Sequence, residues 1–83
     1  MVDNSYSKKA NRILDCIGLY FPMPVVHTKQ EMDKMAIGEV LELLADDRAA
    51  EPDIKAWAKR TGQKILEIQK TDEGLRFFIE KIN

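Results

Sequence analysis

Cys16 is the only thiol in this 83-residue chain, and His27 its only imidazole. A structural zinc ion takes about four ligands from such groups, so one of each is too few, and no metal or other cofactor is expected. No glycine-rich phosphate loop, Ser/His/Asp set or paired cysteines can be assembled, so hydrolase, kinase and dithiol-redox chemistries lack their residues. What remains is a thiol five positions ahead of Phe21, the breaker Pro22-Met23-Pro24, Lys29 beyond it, and the carboxylate pair Asp46-Asp47. A thiol becomes a nucleophile as its thiolate, which a cation or a helix N-terminus favours.

Each of these residues also has a plainer reading. Cys16 fits a small buried apolar residue at a strand end, unless it is exposed in an electropositive setting as a redox or regulatory thiol. His27 and Lys29 fit a solvated helix face. Asp46 and Asp47 either cap and solubilise their loop or line the same end of the sheet as the loop after the first strand. Phe21 packs on Leu19, Tyr20 or the helix start, or it contacts a partner, as aromatics favour interfaces. Together with Leu19, Tyr20 and Met23 it forms an apolar tip, a docking patch where exposed. Lys55, Lys59 and Arg60, with Lys64 beyond, lie near one helix flank and are either solvated or meet an acidic or RNA partner.

The elements that position these residues follow from hydrophobic spacing. Ile13 to Ile17 reads as a short strand closed by Gly18 and the proline breaker. Pro24 suits a first helical position, and Val25, Thr28, Met32 and Met35 recur at three- and four-residue steps, predicting a helix over Pro24–Ala36 that Gly38 ends. Glu39 to Ala45 reads as a central strand with Leu41, Leu43 and Ala45 on one face and Val40 and Leu44 on the other. Pro52 opens a second helix with Ile54, Trp57, Ala58 and Thr61 on one face, and Gly62 closes it. Gln63 to Lys70 places Leu66 and Ile68 on one face and Ile65 on the other, and Asp72-Glu73-Gly74 turns the chain into a last strand, Leu75 to Ile82. The order β-α-β-α-β-β predicts an α+β fold, a two-layer sandwich of a four-stranded mixed sheet with both helices on one face.

Composition bounds the partners. Hydrophobic residues make up 45% and charged residues 33%, which suits one modest core. A flexible segment over residues 1–12 is expected ahead of a single domain over 13–83. A net charge of −1 offers no general attraction to phosphate backbones, so direct nucleic-acid binding is not expected. Apolar stretches such as Val40 to Ala45 fall far short of the roughly 20 residues of a membrane span. Met1 to Arg12 lacks the apolar run of a secretory signal, and a lone cysteine agrees with a reducing compartment, so a cytoplasmic location is expected.

The stretch from Leu14 to Val25, LDCIGLYFPMPV, resembles the opening signature of the TusA/SirA family of small sulfur carriers: a leucine-aspartate and a glycine-leucine pair followed by Cys-Pro-X-Pro. Met35 with Gly38-Glu39, Ala45-Asp46-Asp47, Asp53-Ile54, Trp57, Gly62 and Phe78 to Lys81 extend the likeness over nearly the whole chain. The resemblance implies a β-α-β-α-β-β sandwich, in agreement with the spacing. It also implies a persulfide relay, in tRNA thiolation or sulfur metabolism, between protein partners such as a cysteine desulfurase or another carrier. Phe21, however, stands where the family has its sulfur-bearing cysteine. Sulfurtransferase activity is thus implied by resemblance while its motif residue is missing, and Pro22, Pro24 and Lys29 occupy the rest of the motif region.

Two functions are therefore weighed. One is a sulfur relay in which Cys16, the remaining thiol, acts as a substitute acceptor. The other is a non-catalytic module that keeps the fold and docks a protein through the tip from Leu19 to Met23.

Overall fold

The computed structural model describes residues 10–83. The chain runs β1 (Arg12–Cys16), α1 (Met23–Asp33), β2 (Val40–Ala45), α2 (Ala50–Thr61), β3 (Lys64–Thr71) and β4 (Gly74–Glu80). The strands lie in the order β1-β2-β4-β3, with β1 parallel to β2 and the other pairs antiparallel. This is the expected four-stranded mixed sheet with two helices. Of the segment expected ahead of the domain, residues 1–9 lie outside the described residues. Asn11 is already tied to Val40 by two hydrogen bonds, and Arg12 pairs with Leu41, so the sheet begins a residue earlier than the spacing predicts.

Strand alternation builds the core. Leu14, Leu41, Leu43, Phe77 and Ile79, with the paired Cys16 and Ala45, share one sheet face, and that face packs against Met32 of α1, Met35 just beyond it, and Ile54, Trp57 and Ala58 of α2. Both helices thus cover the same side. Trp57 and Met32 are buried, as a shared apolar surface requires.

Two local departures have physical causes. The first helix ends at Asp33 rather than Ala36. Lys34 and Met35 donate to carbonyls only three residues back, and Lys81 reaches over from the end of β4 to give its ammonium to the Met32 and Met35 carbonyls at 2.8 Å each. In β3 the register shifts between Ile65 and Glu67, so Leu66 is an extra residue and Ile65 and Ile68 both pack toward the core. The strict alternation that put Leu66 with Ile68 is corrected by that bulge.

α2 starts at Ala50, two residues before Pro52, and ends on the left-handed Gly62. Glu51 and Asp53 stand in its first turn and Lys59 and Arg60 in its last, each sign complementing the helix dipole. No helix among the described residues is long and apolar enough to cross a membrane.

Candidate functional site

The loop from Ile17 to Pro22 links β1 to α1 and carries position 21 at one end of the sheet. Locally it is held by its own turns. Leu19 N–H donates to the Cys16 carbonyl at 3.1 Å, Met23 N–H to the Tyr20 carbonyl at 2.8 Å, and Ile17 N–H to the Asp15 carboxylate at 2.9 Å. The Phe21–Pro22 peptide is cis. Leu19 turns inward against the core, leaving Tyr20, Phe21 and Met23 exposed with Val26 from the next turn of α1.

The loop is also fastened from across the sheet. Asp46 Oδ1 accepts the Gly18 N–H at 2.9 Å, and Asp47 Oδ2 accepts the Phe21 N–H at 2.6 Å. Asp47 uses its other oxygen to accept the Ala49 N–H at 3.3 Å, just before α2. β1 and β2 are parallel neighbours with Cys16 opposite Ala45, so the residues that follow each strand emerge side by side at the same sheet end. The two carboxylates thus lie at the site, and their hydrogen bonds go to its backbone. Bonds from a charged acceptor to a backbone N–H are short and about twice as strong as neutral ones.

Phe21 is 63% exposed. Its ring borders a shallow groove of about 180 Å³ formed by Pro22, Val25 and Val26 on one side and Asp53, Ala56 and Arg60 of α2 on the other. Cys16 is 0% exposed, in the core cluster under the base of the loop. Burial, and secondarily the neighbouring Asp15 charge, pushes its thiol pKa up. Position 21 therefore has access without a thiol, and position 16 has a thiol without access.

Lys29, expected near the motif, pairs with Asp33 at 3.1 Å on the solvated side of α1. Pro24 is buried in the first turn of the helix, which lacks any side-chain cap. Lys55 pairs with Glu51 at 2.8 Å, and of the basic residues on α2 only Arg60 borders the groove beside Phe21. Among the described residues no group of three or more His, Cys, Asp or Glu is placed to hold a metal ion.

The sequence reading missed Gly74. It adjoins the backbone of Ala45 and Asp46, and the only signal was its place at the end of a predicted turn.

The model of the family described as sulfurtransferase TusA matches residues 12–81. A candidate sulfur carrier protein of Archaeoglobus fulgidus is 45% identical over 69 residues, covering 83% of this chain and 90% of that protein. The sulfur carrier protein TusA of Allochromatium vinosum is 34% identical over 68 residues, covering 82% and 90% respectively. The crystal structure of a SirA-like protein from Desulfitobacterium hafniense superposes with a TM-score of 0.71 at 21% identity, over 83% of this chain and 93% of that one, which supports the fold. A sulfur relay hands sulfur between proteins, so membership implies protein partners. With the fold and these relatives agreeing over nearly its full length, the chain belongs to the TusA family of sulfurtransferases, the small sulfur carriers.

Proposed function

We propose that this chain serves sulfur relay in the cytoplasm through its protein contacts, docking a cysteine desulfurase or another sulfur carrier by the exposed tip, without holding sulfur at position 21. One observation carries the reading. Position 21, which by the motif resemblance is that of the family's sulfur-bearing cysteine, presents a phenyl ring to solvent, while the chain's only thiol is buried and disfavoured as a thiolate. Tyr20, Phe21, Met23 and Val26 are exposed apolar side chains of the kind that anchor protein interfaces, and Arg60 lines the same groove as Phe21 and Val26.

The test is incubation with a cysteine desulfurase and radiolabelled cysteine. The native chain should acquire no label that a reductant releases, whereas Phe21→Cys should acquire it. Reductant-labile label on the native chain would overturn the docking reading.

A second reading keeps Cys16 as the sulfur acceptor. It is favoured by the place of Cys16 as the last residue of β1, directly before the site loop, whose opening would bring water to the strand end. Label on the native chain that disappears in Cys16→Ala is its signature.

A further inference from the structure

The turn joining β3 to β4 presses on the strand end that anchors the site loop, and the contact leaves no room for a side chain. Gly74 has φ +146°, a conformation that residues with an L side chain rarely adopt. A Cβ placed there lies 2.5 Å from the Ala45 carbonyl oxygen and 2.9 Å from both Cα and Cβ of Asp46. Carbon contacts settle at about 3.5–4.0 Å, so the strand end or the turn must move. The turn is braced from within. Thr71 Oγ1 lies 3.3 Å from the Gly74 carbonyl oxygen, to which it donates, and accepts the Glu73 N–H at 3.2 Å. On the far side of the contact, Asp46 and Asp47 hold Gly18 and Phe21. Any shift of the Ala45-Asp46 backbone therefore shifts the carboxylates that fasten the loop.

We propose that Gly74 is a positioning residue for the site loop: by letting the hairpin turn close on Asp46, it fixes where the two carboxylates hold Gly18 and Phe21, and so how residue 21 is presented to a sulfur-handling partner. Only the last clause rests on the functional reading above.

Two glycines give a matched test. Gly38 has φ +93° and nothing within 4 Å of a Cβ placed on it, so Gly38→Ala carries backbone strain without the contact. Amide hydrogen exchange on the full chain is read at Gly18 and Phe21, relative to core amides such as Leu43 and Phe77. Gly74→Ala should speed exchange at both site amides about tenfold relative to the core and move their resonances, while Gly38→Ala leaves that ratio unchanged. Equal effects of the two variants, or none at the site amides, overturn the proposal. Should Gly74→Ala not fold, Thr71→Ala removes both turn hydrogen bonds without adding atoms, and unaltered Gly18 and Phe21 exchange in it overturns the proposal equally. Sulfur labelling is a separate assay, so failure of the relay reading leaves this exchange result standing, and the reverse holds.

Discussion

At the scale of residues, access and ionisation are divided between positions 16 and 21. A buried thiol reacts only when the protein opens, so native Cys16 should be alkylated far more slowly than the same residue in denaturant. Equal rates would show that it is not buried in solution. Its raised pKa has a consequence for stability. The unfolded thiol ionises near its ordinary value of about 8.5 and the folded one above that, so the favourable burial of the neutral thiol is complete at neutral pH. It is lost as pH rises through the folded value. The urea midpoint of the native chain should therefore fall more steeply above about pH 9 than that of Cys16→Ala; parallel curves would contradict the shift. In the Cys16→Ala background, Phe21→Cys places a thiol at an exposed helix start, beside an Asp47 carboxylate that opposes ionisation. Adding Asp47→Asn should move its alkylation midpoint to lower pH, and a midpoint that stays or rises would remove Asp47 from the electrostatics of the site. The sequence made the loop legible, because the proline breaker and the strand before it are local signals. The use made of Asp46 and Asp47 was not, since they bond to backbone 28 and 26 positions away and could equally have capped their own loop.

At the scale of elements, local periodicity located each strand and helix but left the facing of β3 and the end of α1 to tertiary contacts. The bulge at Leu66 brings Ile65 to the inward side with Ile68, and only pairing with β4 reveals it. The end of α1 depends on Lys81, which lies 49 residues beyond Met32 and supplies the cation that the last turn of the helix lacks. An ammonium donating two hydrogen bonds to helix C-terminal carbonyls offsets the negative end of the dipole as well as satisfying both acceptors. Lys81→Met keeps much of the apolar stem and deletes those bonds. It should cost about 2 kcal/mol in urea unfolding and speed amide exchange in the last turn of α1 more than in α2. A variant as stable as its parent would mean that water serves those carbonyls equally well.

At the scale of the molecule, one layer of helices covers one face of one sheet, and the order β-α-β-α-β-β was readable because each amphipathic segment needs that shared surface. A domain of the length that the family model matches, residues 12–81, has about 4–11 kcal/mol of stability at the usual value per residue, so a single large core side chain is a sizeable part of the whole. Trp57 is the largest side chain that α2 contributes to the core, yet its indole Nε1 has no hydrogen-bond partner among the described residues. Its packing and its polarity therefore act in opposite directions. Truncation in Trp57→Ala removes the ring and leaves a cavity, which should cost about 3–5 kcal/mol and bring the domain near the limit of folding. Trp57→Phe also loses volume, but it deletes an unsatisfied buried donor whose desolvation costs about 1–3 kcal/mol, so the two effects largely cancel. Urea midpoints should place Trp57→Phe within about 1 kcal/mol of the parent and well above Trp57→Ala. If the phenylalanine variant falls as far as the alanine one, the indole N–H is satisfied in solution and the core depends on it.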